Sequence, residues 1–328
     1  MNPSESGTED TPDPYAMRSV AGQAEVIANV DHAYGRKLDA LASMRDRAYH
    51  ELTELMPTSR SFGFSNALLV MLLGHAIGVL DAARILMEHG YGRHALGFIR
   101  TLVDLEIDAL LVTTGGAELL ERYPAYERWE TAITGARGLY TLNTEDPEVL
   151  EGIRFRVADL THALEEMGVD VSEIDDTDLV GALEEFGRHA LQRPYPRSWR
   201  DHLNLDDLLD IVAPAHVRIF DPGVEGPDPD AFQAAVDQFK RDYKLGYGQM
   251  SGVVHASPRT LARSVELGKD GQIESYLVGG SPEEVDLASG MAGLTFLRIR
   301  RVVASTIGFD GDEDAWQADL ATLREYGK

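Results

Sequence analysis

From Ala67 to Leu80 the chain runs 14 residues without an Asp, Glu, Lys or Arg, although the whole protein of 328 residues carries a formal net charge of -25. A stretch that apolar has to be covered. A membrane span needs about 20 such residues, so the run reads as a buried helix at the heart of a helical core. Asn66 is the expected N-cap, the periodicity continues to about His89, and Gly90 supplies the stop. A second helical pattern runs from about Arg93 to Thr114 and ends at Gly115-Gly116. The link between the two is short enough to predict an antiparallel helical hairpin at the centre of the core.

The remaining elements are also mainly helical. Ala16 to Met56 has heptad-like apolar positions, with Gly35 as a candidate break and Pro57 as its end. Helices are predicted near Ala117 to Leu142 (kinked at Pro124), Pro147 to Met167, Asp178 to Leu191 and Leu205 to Val212. A long one follows from about Asp230 to His255. Strand-like alternation on either side of Gly268-Lys269-Asp270-Gly271 predicts a β-hairpin over Arg263 to Leu277. Ser281, Pro282 and Glu284 read as cap, first turn and capping box of a helix reaching about Ile307. A last helix spans about Asp312 to Tyr326. The fold class expected is therefore all-α, a multi-helix bundle with one small β-hairpin. Residues 1–15 are rich in Ser, Pro and acidic residues, with neither the basic start nor the apolar run of a signal peptide, and read as a disordered tail. Residues 16–328 read as a single helical domain, with 117–227, the more broken region, as a lobe or lid.

Composition narrows the function classes. An apolar fraction of 44% suits a globular protein. The net charge disfavours broad binding to phosphate backbones, leaving room only for a local RNA contact. The chain has no cysteine, which removes disulfides, thiol nucleophiles and thiolate metal sites. A soluble, cytoplasmic protein is expected. The apolar surface of Ala67 to Leu80 and Met291 to Ile307 exceeds what one partner helix covers, which predicts a homodimer.

Two constellations could carry chemistry. Tyr247, Ser251 and His255 are spaced i, i+4, i+8 on one face of the long helix. A phenol, a hydroxyl and a histidine on one pocket wall could perform acid–base work; equally, they could be a polar seam between packed helices. Arg100, Asp104 and Asp108 repeat the spacing on another helix, with Glu106 beside them. Charges on so apolar a helix need partners, so a structural ion pair is the competing reading. Because isolated buried polar groups are costly, Arg100, Asp104, Tyr247, Ser251 and His255 are expected to meet in one cluster.

The segment from Ala95 to Asp104, Trp199, and the segment from Tyr247 to Ser257 resemble an uncharacterised family of helical prokaryotic proteins, a domain of unknown function. The resemblance covers about Ala67 to Ile307. It implies an Arg and an acidic residue four positions apart on one helix, and Ser-x-x-x-His near the end of a later one; here Asp104 stands where Glu is expected. Through the resemblance comes an association with stress or phage defence. Some such proteins look distantly like HEPN domains, whose ribonucleases use an Arg followed four to six residues later by His. Arg45–His50, Arg84–His89, Arg156–His162 and Arg197–His202 satisfy that spacing, where chance alone gives roughly two such pairs. Arg45-Asp46 before His50 matches best, whereas His255 has no Arg so placed.

No metal site is expected. Glu185 and His189, and Asp159 and His162, share helix faces, but no Glu-x-x-His occurs on the central helices, as a di-iron bundle would require. Gly-rich phosphate loops and Gly-x-Ser-x-Gly are missing too, so no cofactor is expected. The leading expectation is a helical module binding a partner protein or small ligand; the rival is a HEPN-like, metal-independent ribonuclease. Whether the chain is an enzyme stays open at this point.

Overall fold

The computed structural model describes residues 20–55, 62–115, 146–166, 204–221, 229–254, 265–267, 273–276, 284–309 and 313–324, with isolated positions between 120 and 134 and at 223. The fold is all-α. Among the described residues the helices are α1 (Val20–Leu55), α2 (Phe64–Glu88), α3 (Gly92–Thr114), α4 (Pro147–Glu166), α5 (Leu205–Phe220), α6 (Pro229–Val254), α7 (Val285–Ile307) and α8 (Glu313–Arg324). Two short extended segments, β1 (Val265–Leu267) and β2 (Ile273–Tyr276), lie antiparallel with Val265 opposite Tyr276 and a register break between Glu266 and Leu267. The chain divides into two compact units: residues 1–110 with 216–328, and residues 111–215. The second unit contains α4 and the first part of α5. The expected helices over Ala117 to Leu142 and Asp178 to Leu191 lie largely or wholly outside the described residues, as does the N-terminal tail.

The core of the first unit is built by α1, α2, α7 and α8. Helices α1, α2 and α7 pack against one another, and α8 closes on α1 and α7. Among the described residues the centre is thus α2 held by α1 and α7, where an α2–α3 hairpin was expected. Leu69, Leu73, Leu80, Phe296 and Trp316 are fully buried there. Helix α2 is long and apolar enough to cross a membrane by length and composition, but half of that stretch is buried inside the protein.

Helix α1 shows why the heptad reading works. Val30, Lys37, Leu41, Met44, Ala48 and Glu51 are buried and follow one another at spacings of seven, four, three, four and three, the seam of a helix packed along its length. Gly35 does not break it. A glycine costs a helix about 1 kcal/mol, and burial of the flanking turns outweighs that.

Both buried charges on the seam are paired. Lys37 bonds Asp286 at the start of α7. Glu51 accepts from Arg300 Nε at 3.0 Å and Nη2 at 2.9 Å, and from Trp316 Nε1 at 3.2 Å. Arg300 also donates to Glu313 at 3.2 Å and lies 5.1 Å from the Trp316 ring centre. This network ties α1, α7 and α8 through groups that fill each other's hydrogen-bonding needs.

Helix boundaries differ from expectation where backbone geometry overrides side-chain signals. Helix α2 begins after Gly63 with no side-chain cap, so Asn66 lies inside the helix. Its end is a Schellman turn: Gly90 has φ 80°, Gly90 N–H donates to Met87 at 2.9 Å and Tyr91 N–H to Leu86 at 2.8 Å. Ser281 and Pro282, the expected cap and first turn, lie outside the described residues; helix α7 starts at Val285 after Glu284, whose φ is 68° and whose own side chain makes no cap hydrogen bond. Its carboxylate instead accepts from Arg93 Nε at 3.1 Å. A Cβ on Gly92 would stand 2.6 Å from Val285 N. The glycine therefore permits the start of α3 to meet the backbone at the start of α7.

Candidate functional site: an aromatic cavity with a buried carboxyl

Pro214 is the residue that misled the boundary of α5. Instead of ending near Val212, the helix runs through the proline to Phe220. Proline removes one intrahelical hydrogen bond, yet the helix persists, with Val212, Ala213, Ala215 and Val217 buried along it. The last turn carries His216 and Phe220 to the wall of a cavity of about 580 Å³ in the first unit. The opposing walls come from α6, with Phe239, Tyr243 and Tyr247, and from α7, with Leu294 and Arg298. Glu106 on α3 also lines it.

Phe239, Tyr243 and Tyr247 recur every four residues, so their rings rise along one face of α6. His216 stacks on Phe239 with ring centres 4.0 Å apart, and Phe239 meets Tyr243 at 6.2 Å. Tyr243 stacks on Tyr247 at 5.6 Å with the planes 15° apart. The ladder ends on Arg100, whose Nη2 donates to the Tyr247 hydroxyl at 2.8 Å while its guanidinium carbon lies 4.9 Å from the ring centre. Phe220 extends the other end, 4.7 Å from the His216 ring.

At that other end sits a group of ionisable side chains. Glu106 is 4% exposed and His216 8%. Glu106 Oε1 lies 3.6 Å from His216 Nε2 and 3.8 Å from Arg298 Nη1, just beyond hydrogen-bonding range. Both Glu106 Oε1 and His216 Nε2 are buried without a hydrogen-bond partner among the described residues. Burial pushes the Glu106 carboxyl up to about 7, against the pull of Arg298. Burial also lowers His216 to about 3, with Arg298 acting in the same direction. The desolvated histidine is neutral at physiological pH, and the carboxyl is poised between its two forms. Two orphaned polar atoms facing one gap can share a hydrogen-bonding guest.

Of the residues expected to form one cluster, Arg100 and Tyr247 are joined directly. Asp104 sits on α3 one turn beyond Arg100, half-buried and engaged by other groups. Ser251 is half-buried one turn beyond Tyr247 on α6. His255 lies outside the described residues. The sequence reading did not single out His216 and Arg298 and took Glu106 only as a neighbour of Arg100 and Asp104. Glu106 did carry a signal: it is an acidic residue between Leu105 and Ile107, on a different face of α3 from Arg100, Asp104 and Asp108.

The Arg45–His50 pairing offers no such site. Arg45 is held by Asp81 at 2.5 Å and by Asp46, and His50 is a surface residue beside Glu54 at 3.3 Å. Arg84 is likewise taken up by Asp81 and Glu88. Among the described residues no group of three or more His, Asp or Glu is arranged to hold a metal ion.

Fold and site together define an all-α bundle with an aromatic cavity and a buried carboxyl. The chain belongs to the family of unknown function DUF5677, whose profile matches residues 66–273. That range takes in Glu106, His216 and the aromatic face of α6; Arg298 and the α7–α8 part of the core lie beyond it. The match agrees with the uncharacterised family resemblance, but gives no support to a HEPN-like relationship, and the Arg45–His50 pair falls outside it. No curated protein and no solved structure matches the chain.

Proposed function

We propose that the protein is a binding module for a small organic ligand, held in the cavity between α3, α5, α6 and α7. One observation carries this reading: Glu106 Oε1 and His216 Nε2 are both buried and lack hydrogen-bond partners among the described residues, at the end of a ladder of stacked rings. Desolvating such groups without partners costs about 1–3 kcal/mol each, and a guest that donates to them recovers that cost. The volume of about 580 Å³ falls in the range of small-molecule sites, roughly 300–1,000 Å³. The aromatic face of α6 suits a flat body, and Glu106 suits a donor at its edge.

The test uses benzamide, indole and adenine as uncharged aromatic probes, with melting temperature as the readout. A probe at a hundred times its Kd adds about 2.7 kcal/mol of stability, a shift of several degrees. Ala235 lines the cavity, and Ala235→Trp should fill the space and abolish the shift without unfolding the protein. If none of the probes raises the melting temperature of the parent, or if Ala235→Trp leaves the shift intact, the cavity is not a ligand site of this kind.

A second observation favours self-association, and we infer a homodimer formed along α2. Phe64, Met71 and Ile85 are exposed at seven-residue multiples, with Gly78 in the same register. Such a stripe fits the seam of a left-handed helix pair. Helix α7, by contrast, spends its apolar face on α1, α2 and α8, so the interface inferred is narrower than the sequence suggests. Light scattering should give twice the 36.0 kDa chain mass, and Met71→Glu should return it to the single value. A monomeric parent at micromolar concentration would refute the dimer.

We further infer that β1 and β2 persist in solution as the hairpin read from the alternation of Val265, Leu267, Ile273 and Ser275. Protection of their paired amides from hydrogen exchange is the expected result, and exchange at the unfolded rate would contradict it.

A further inference from the structure

The aromatic cavity has a neighbour of different character. A second cavity of about 270 Å³ shares His216, Phe220, Asp221, Leu294 and Arg298 with the first. Its remaining lining includes Arg301 and Arg324. Three guanidinium groups therefore border the smaller cavity against one carboxylate, Asp221. The larger one has the opposite balance, with Glu106, Asp221 and Asp242 against Arg298. In a chain of net charge -25, such a local reversal of sign is conspicuous. Fields from charges farther than about 8 Å are screened at physiological salt, so the groups lining the cavity weigh more there than the net charge of the chain.

The three arginines are placed by two helices. Leu294, Arg298 and Arg301 follow at i, i+4 and i+7 on α7, which aligns them on one face. Arg324 is the last residue of α8 and is exposed, so the smaller cavity opens towards solvent beside it. Arg301 lies 6.0 Å from the Phe220 ring centre and 3.7 Å from Glu313. Guanidinium groups present paired donors that match the oxygens of a phosphate.

Resting on the reading of the larger cavity as a ligand site, we propose that its ligand is a mononucleotide-like molecule. An amino-substituted aromatic ring occupies the larger cavity, and a phosphate-type anion attached to it lies between Arg298, Arg301 and Arg324 in the smaller one. The ring stacks against the α6 ladder. Its amino group donates to Glu106 Oε1, a ring substituent reaches His216 Nε2, and the anion lies where the lining turns positive. One molecule thus answers the two orphaned atoms and the arginine-lined end of the cavity together.

The experiment is titration calorimetry of the full chain with AMP and CMP, with adenosine and cytidine, and with inorganic phosphate alone. The nucleotides should bind at least tenfold more tightly than their nucleosides, and phosphate alone more weakly than either nucleotide. The double variant Arg301→Gln/Arg324→Gln should bring the nucleotides down to nucleoside affinity and leave nucleoside binding unchanged. Arg324→Gln alone, at an exposed position, should lose part of the preference and keeps the test readable if the double variant is unstable. Equal affinity for nucleotide and nucleoside would overturn the inference and leave the aromatic site standing. So would a nucleotide preference that survives both variants, or no nucleotide binding up to about 1 mM while benzamide, indole or adenine stabilises the protein. If no aromatic probe stabilises it either, the reading of the cavity falls together with the inference.

Discussion

Replacing Arg300 with alanine is expected to destabilise the protein by about 3–5 kcal/mol, the largest effect of any single substitution proposed. Arg300 is 2% exposed and binds both carboxylate oxygens of Glu51. Removing it leaves Glu51 buried, with Trp316 Nε1 as its remaining donor at 3.2 Å. The loss combines an uncompensated charge with the empty space of a long side chain packed near Trp316 and Phe309. Replacing both partners, as Glu51→Leu with Arg300→Met, should recover much of the loss, because an apolar pair needs neither counter-charge nor donor. Urea denaturation of the three variants checks this. A cost below about 1 kcal/mol for Arg300→Ala would place the pair among weakly coupled surface bridges.

The second large effect concerns pH. Glu106 has its carboxyl raised from 4.5 to about 7 in the folded state. Its contribution to stability is therefore full below about 4.5 and is lost as pH rises through 7. His216 is lowered from 6.5 to about 3. Its contribution is full above 6.5 and is lost as pH falls towards 3. Each changes stability by about 1.4 kcal/mol per pH unit inside its window. Between about 4.5 and 6.5 the two slopes oppose and nearly cancel, so these groups give the parent a flat profile there. Glu106→Gln removes one slope. That variant should be more stable than the parent above pH 7, by up to about 3 kcal/mol, and should weaken steadily as pH falls below 6.5, exposing the His216 contribution. Parallel pH profiles of parent and variant between 4.5 and 8 would show that Glu106 does not titrate as its burial dictates.

The histidine in that argument was hidden by a single residue. Pro214 is the strongest local signal for ending a helix, and a reading of α5 that stops near Val212 leaves His216 in a loop. The apolar face on either side of the proline outweighs the one lost hydrogen bond, and the helix continues. The α6 ladder was closer to legible. The four-residue spacing that linked Tyr247, Ser251 and His255 extends backwards through Tyr243 to Phe239. Followed in that direction, it leads to the aromatic wall of the cavity. The Arg100–Tyr247 contact was anticipated because both groups are polar interruptions of helical faces that need partners.

Sequence by itself determined the all-α class and some of the breaks. An apolar run that has to be covered, heptad spacing from Val30 to Glu51 and the glycine at position 90 each act within a few turns of helix. Periodicity and backbone strain are local properties, and local chemistry settles them. Tertiary structure alone decided which charges are partners. Glu51 and Arg300 are separated by 249 residues, and nothing in the neighbourhood of either identifies the other. The same holds for Glu106, His216 and Arg298, brought together from α3, α5 and α7. A carboxyl is shifted to about 7 by the removal of water around it, and that removal is the work of side chains far away in the chain.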